Sequence, residues 1–282
     1  LMSGLIRCVG VPEERFQEDG LRILRALRFG ARYGFPIEAE TAQAMHRCKQ
    51  QLHYIAQERI FSELKGILVG DGAAEMLRAH RDILTVFLPE IAPMFDMEQR
   101  NPHHCYDVWE HTLHAMANIA PDPTLRLAML FHDIGKPYVS GYLYGRDKDT
   151  LKIEEMKYVR LHPRLGYDEL MRLDFSDFVL ESILYHHENY DGSGYPENLA
   201  GDQIPLGAKI LRVCDVYAAL TSDRPYRSAF DSDTAVELMI DEVKNFDMKV
   251  FLAFQRAIHE AEWQGKWALP GLKVRITEEE TI

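Results

Sequence analysis

The sequence lacks a long hydrophobic run. None of its apolar stretches approaches the ~18 residues a helix needs to cross a bilayer, so a helical membrane protein is excluded. No charged-then-apolar leader opens it, and the expected compartment is the cytoplasm. Cysteine is sparse. Cys8, Cys48, Cys105 and Cys214 are scattered with no CxxC pair, which excludes a disulfide framework and a zinc knuckle. Positive charge is also short: 32 Lys and Arg stand against 44 Asp and Glu, a net charge of −12. Residues 1–90 are electrically neutral, so the whole excess falls in residues 91–282. An acidic half repels a polyanion unless metal ions or local Arg and Lys invert the field. A small phosphorylated nucleotide is the expected partner there, and no membrane is.

Histidine and aspartate are plentiful between His111 and Asp215. His132-Asp133 ends the apolar run LRLAMLF, and Asp215 lies inside ILRVCDVYAAL. An unpaired carboxylate in a core costs several kcal/mol, on the order of the penalty for a buried unsatisfied charge. Divalent metal ions are the simplest compensation for imidazoles and carboxylates converging from several helices. The run YDVWEHTLHAMANI places Asp107, His111 and His114 on one helix face. Lys136 follows His132 by one turn; it suits a phosphate oxygen and equally suits the C-terminal dipole of a helix. His162 opens a helix ahead of Pro163, and His186-His187 leads into ENYDGSGYP, whose glycines and proline demand a fixed turn.

The pattern predicts an all-α protein: a helical neck at residues 1–90, a linker at 91–105, a metal-bearing helical bundle at 106–265 and a tail at 266–282. In the neck, helices are predicted over 18–34, 38–50, 55–69 and 73–87, with Gly34 as a C-cap. Arg22, Arg25, Arg28 and Arg32 form a basic stripe. It is either a solvated face paired with acidic neighbours or a surface for phosphate or a base. Residues 137–161 read as a loop or hairpin with a charged helix start, and residues 231–263 as closing helices.

The stretch GLIRCVGVPEERFQEDGLRILRALRFGARYGF resembles the segment that follows the catalytic head of bacterial tRNA nucleotidyltransferases (CCA-adding enzymes) and their poly(A) polymerase relatives. The resemblance implies that Glu18, Asp19 and Arg22 read a nucleotide base when a head domain is present, and that the neck could meet tRNA. Without that head, nucleotidyl transfer is not expected. The series HD, HP, HHENYDGSGYP and CDVYAALTSDRPYR resembles the HD-GYP branch of the HD-domain metal-dependent phosphohydrolases. It implies metal ligation by His111, His132, Asp133, His162, His186, His187 and Asp215, with Asp107 available for a third metal.

The same resemblance places Lys136, Arg224 and Arg227 on the phosphate, with Asp133 among the catalytic groups and Tyr195 as the tyrosine of the GYP turn. Two or three divalent ions are implied, iron or manganese ahead of nickel, cobalt or zinc. The expected reaction is hydrolysis of a nucleotide phosphodiester or phosphomonoester by a metal-bridged hydroxide. A cyclic di-GMP-like dinucleotide is the first candidate substrate and an RNA 2′,3′-cyclic phosphate the second. PYVSG after HDIGK departs from the HD-GYP pattern and is closer to HD domains attached to CCA-adding enzymes. The competing expectation is a fragment of a CCA-adding enzyme that binds tRNA, its HD half non-catalytic; metals serving structure alone are a third.

Overall fold

The computed structural model describes residues 4–97, 107–143, 157–223 and 228–263. Among them the regular structure is helical, with two isolated bridges, Ile6 to Ile37 and Asp191 to Ala200. The neck holds α1 (Pro12–Glu18), α2 (Leu21–Tyr33), α3 (Ala39–Cys48), α4 (Gln57–Leu68), α5 (Ala73–Ala79) and α6 (Arg81–Leu84). The second half holds α7 (Val108–Ala117), α8 (Pro123–Phe131), α9 (Lys136–Leu143), α10 (His162–Leu170) and α11 (Asp177–Leu184). It continues with α12 (Leu206–Leu220), α13 (Ser232–Asp241) and α14 (Met248–Trp263).

Three predicted elements differ in the structure. The helix expected over 18–34 is α2 and starts three residues later, at Leu21: a separate helix, α1, ends at Glu18, and Asp19 is extended (φ −151°, ψ 101°) between them. Asp19 Oδ1 accepts a hydrogen bond from Leu21 N at 3.0 Å, satisfying an N-terminal donor of α2 as a capping residue does. At the other end Gly34 takes the left-handed conformation (φ 64°) and closes α2 as the sequence predicts. The helix expected over 73–87 breaks at His80, whose ring tucks against His46 with Nδ1 3.2 Å from His46 Nε2. The loop expected from Pro137 begins as a helix, α9, because proline near an N-terminus has no amide to leave unpaired and Val139 is buried.

One apolar core runs through both halves, from Phe16 and Leu24 in the neck to Trp109, Phe131 and Phe254. Helix α4 packs on α8 and α5 on α7, while α12 touches α7, α8, α11, α13 and α14. Among the described residues, no helix is long and apolar enough to cross a membrane.

A buried arginine stitches the halves together. The Arg126 guanidinium, on α8, donates to Leu68 O at 2.6 Å and Gly70 O at 3.3 Å at the end of α4. It also donates to Ile119 O at 3.3 Å beyond α7. Burial pulls its pKa down and the Asp71 carboxylate pulls it back. Replacing Arg126 by Ala strands these carbonyls, and a loss of about 2–4 kcal/mol is expected. A denaturant midpoint measurement checks it; a shift worth less than about 0.5 kcal/mol, the scale of an ordinary surface substitution, would refute the stitch.

Candidate metal centre

Helix α8 ends at Phe131, and residues 132–135 form a tight turn before α9. Gly135 lets that turn cross the start of α10. A Cβ there would lie 1.9 Å from His162 O and 2.7 Å from Gly166 N, so only glycine permits the approach. The crossing sets His132 and Asp133 against His162. Helix α11 ends just before His186 and His187, and Asp215 lies buried in the middle of α12.

The structure brings His111, His132, Asp133, His162, His186, His187 and Asp215 together. His111 Nε2 lies 2.9 Å from Asp215 Oδ1 and 3.7 Å from Asp133 Oδ2. His132 Nε2 lies 3.2 Å from Asp133 Oδ2 and 3.7 Å from Asp215 Oδ1. Asp133 Oδ1 is 3.4 Å from His162 Nε2, and Lys136 Nζ donates to Asp133 Oδ2 at 2.6 Å. His162 Nε2 faces His186 Nε2 at 3.3 Å. Two clusters result: His111, His132 and Asp133 form one, and His162, His186 and His187 the other.

Backbone carbonyls orient the imidazoles. His132 Nδ1 meets Met129 O at 2.7 Å, His162 Nδ1 meets Val159 O at 2.7 Å, and His186 Nδ1 meets Ile183 O at 2.6 Å. A carbonyl accepts only, so each Nδ1 carries a proton and each ring turns Nε2 inward; at His162 and His186, neutral at pH 7, that nitrogen presents its lone pair. Two such lone pairs then face each other at 3.3 Å between His162 and His186, an arrangement that requires a cation or a proton. His132 Nε2 and Asp133 Oδ1 are buried with no hydrogen-bond partner. These orphaned atoms and this nitrogen and carboxylate donor set fit divalent ions.

Charge divides the two clusters. Burial lowers the pKa of His162 to about 4 despite the Asp133 carboxylate, and burial with the neighbouring imidazoles drives His186 and His187 well below their ordinary value. All three are neutral at pH 7. Burial also opposes a proton on His132, but the Asp133 and Asp215 carboxylates outweigh it and raise the pKa to about 10. For Asp133 and Asp215, burial alone would raise the pKa. His132 and Lys136 overcome this at Asp133, His111 and His132 at Asp215, and both carboxyls stay well below the usual range.

Asp107, the residue expected for a third metal, lies outside both clusters and caps α7. Its Oδ1 accepts from Glu110 N at 2.7 Å and its Oδ2 from Asp96 N at 3.0 Å. His114, on the same helix, lies with Nε2 3.3 Å from Thr221 Oγ1. In the neck Arg22 donates to Glu18 Oε2 at 2.6 Å and to Arg15 O at 2.8 Å. Arg28 and Arg25 reach Glu63 at 2.6 Å and 3.4 Å. Most of the arginine stripe is thus paired with carboxylates, as the plainer sequence reading holds. Arg224 and Arg227 lie outside the described residues.

The Gly-rich turn is fixed around Glu188, which is buried and accepts from Glu197 N at 2.7 Å and Leu199 N at 3.1 Å. A Cβ on Gly194 would stand 2.3 Å from Asn189 N, so the turn closes on glycine alone. It sets the Tyr195 ring on His187, centroids 4.8 Å apart and 24° from parallel. Sequence reasoning missed Glu188 and also Arg212, whose Nε donates to Asn189 Oδ1 at 3.2 Å. Arg212 stands three positions before Asp215 in an apolar run, which is the signal that could have marked it.

Residues 112–250 match the family model described as HD domain, and residues 34–95 match the model described as a probable RNA and SrmB-binding site of polymerase A. A cyclic di-GMP phosphodiesterase of Pseudomonas aeruginosa is 42% identical over 142 residues, covering 49% of this chain and 34% of that protein. A 3′3′-cGAMP-specific phosphodiesterase of Vibrio cholerae is 33% identical over 138 residues, covering 48% of this chain and 29% of its own. A CC-adding tRNA nucleotidyltransferase of Thermus thermophilus is 39% identical over 187 residues, covering 62% of this chain and 42% of that protein. The chain thus spans less than half the length of these relatives.

Two outcomes test the centre. Gly135→Ala should push α10 from the turn and abolish metal retention in elemental analysis; full retention would refute the crossing. Below about 10 the His132 proton occupies an inward nitrogen, so metal uptake at pH 7 should expel protons and apparent affinity should rise with pH. Titration calorimetry in buffers of different ionisation enthalpy checks this, and uptake without proton release would contradict it.

Proposed function

We propose that this chain, which carries an HD domain behind a poly(A) polymerase-type RNA-binding segment, is a metal-dependent phosphohydrolase acting on a nucleotide phosphodiester or phosphomonoester. The carrying observation is the pair of buried clusters, in which inward imidazole nitrogens and ionised carboxylates share one core around Asp133. His111, His132, Asp133 and Asp215 would hold one divalent ion and His162, His186 and His187 the other, with Asp133 reaching towards both. Bound ions supply Lewis acidity and an activated water for attack on phosphorus. This donor set admits iron, manganese, nickel, cobalt or zinc, and the HD-GYP resemblance puts iron or manganese first.

The chain's own residues do the rest. The Met129, Val159 and Ile183 carbonyls hold the imidazole planes before any ligand arrives. Lys136 keeps Asp133 ionised from the partly exposed rim, where its ammonium can also turn to a phosphoryl oxygen as charge builds there. Packing around the clusters excludes bulk water, which strengthens each of these interactions. Arg224 and Arg227 would add phosphate contacts.

Cyclic di-GMP is the first substrate to test, from the GYP turn and the cyclic-dinucleotide phosphodiesterases among the relatives. An RNA 2′,3′-cyclic phosphate is second, from the neck and the tRNA nucleotidyltransferase relative. Nucleotidyl transfer by these residues alone is not expected, since Glu18, Asp19 and Arg22 would read a base only beside a head domain. A tRNA-binding role with an inert HD half is disfavoured by Arg22, Arg25 and Arg28 being paired with carboxylates, which leaves fewer cations for phosphates.

Hydrolysis of both esters by manganese-loaded protein tests the reading. Activity on either supports it, and Lys136→Ala should lower kcat about 10²-fold. No hydrolysis of either ester with iron, manganese, nickel, cobalt or zinc would overturn it. Rates on the small ester should change little from about 50 to 200 mM salt; a collapse over that range would point to polynucleotide binding instead.

A further inference from the structure

The 188–199 turn follows directly on His186 and His187, stacks Tyr195 on His187 and is hydrogen-bonded to α12 through Arg212. Arg212 and Asp215, three positions apart, leave α12 on the same face. The turn holds the Arg212 guanidinium by one edge: Nε donates to Asn189 Oδ1 at 3.2 Å, and Asn189 Nδ2 donates to Ser193 Oγ at 3.0 Å. That anchoring leaves the terminal nitrogens of the fork, the part that matches phosphate oxygens, without a carboxylate among the described residues. A second guanidinium stands close by. Arg160 is exposed, lies just before α10, has no carboxylate partner among the described residues and sits with Cζ 5.4 Å from the Tyr195 ring centroid. Tyr195 in turn lies on His187. Arg212 is close enough for its charge to act on both His187 and Tyr195, and Arg160 on Tyr195.

The cations are therefore divided across the centre. Lys136 serves the Asp133 carboxylate on the first cluster, while Arg160 and Arg212 border the second. In a chain with a net charge of −12, two arginines with no acidic partner among the described residues, beside a cluster of neutral imidazoles, are a local inversion of field. A single phosphate bound at the clusters would be met by Lys136. A second would find the guanidinium groups.

We propose that Arg212 and Arg160 bind the phosphate that is not cleaved, and so select nucleotides with two phosphate groups over esters with one. Tyr195, stacked on His187, spaces the two phosphate positions. This inference rests on the phosphohydrolase reading.

The test compares manganese-loaded wild type, Arg212→Gln and Arg160→Gln on cyclic di-GMP, which has two phosphates, and bis(p-nitrophenyl) phosphate, which has one. Losing a charge-assisted contact should raise KM for cyclic di-GMP about tenfold with a far smaller change in kcat. The KM effect on the single-phosphate ester should be several-fold weaker. Arg160 is exposed, so its variant keeps the fold even if Arg212→Gln does not. Equal effects on both esters, or an unchanged KM for cyclic di-GMP, would overturn the assignment. If wild type hydrolyses neither ester, the phosphohydrolase reading falls by itself. Calorimetric binding of cyclic di-GMP to the same proteins then decides the clamp: about tenfold weaker binding in the variants supports it, and equal or absent binding by all three overturns it.

Discussion

Asp133 is the interaction on which the rest depends. Its carboxylate is buried and lies within 3.7 Å of three imidazoles and at 2.6 Å from one ammonium. A charge so placed is costly in a dry interior unless every neighbour compensates it. The neighbours come from α7, the turn after α8, the start of α9 and the start of α10, so satisfying one carboxylate organises much of the second half. Glycine at 135 allows the turn to reach α10, and the three carbonyls that accept from Nδ1 atoms decide which nitrogen of each ring looks inward.

The neck and the second half share a core, and Arg126 ties the end of α4 to α8 through backbone carbonyls. A helix at the metal centre is thereby fixed to the RNA-binding-type segment. Arg22, Arg25 and Arg28 of the neck are turned to Glu18 and Glu63, which makes it a packed, charge-balanced support. Arg160 and Arg212, which have no carboxylate partner among the described residues, stand instead at the centre.

Much of this was legible in the sequence. The all-α class followed from helical periodicity; His132-Asp133 and Asp215 stood out as polar groups in apolar runs that need partners from elsewhere in the fold, while the full ligand set, His162 included, came from the resemblance to HD-GYP proteins. What escaped depended on local backbone geometry. The extended Asp19 that separates α1 from α2 interrupts a continuous periodic pattern without a proline or glycine at that residue. Asp107 has the right spacing from His111 for a ligand, yet both its oxygens accept from backbone amides, a choice that periodicity cannot see. Arg212 hid in an apolar helix because its partner, Asn189, is distant in the chain.

The claim at the centre of this account is that buried, inward-facing imidazoles and carboxylates are held by divalent cations. Elemental analysis of the purified protein, followed by thermal melts before and after chelation, tests it most directly. The account predicts about two ions per chain, as in two-metal phosphohydrolase sites, and a clear fall in Tm when they are removed. A protein that holds no metal after loading with any of the candidate ions, and whose Tm does not move with chelator, would contradict it.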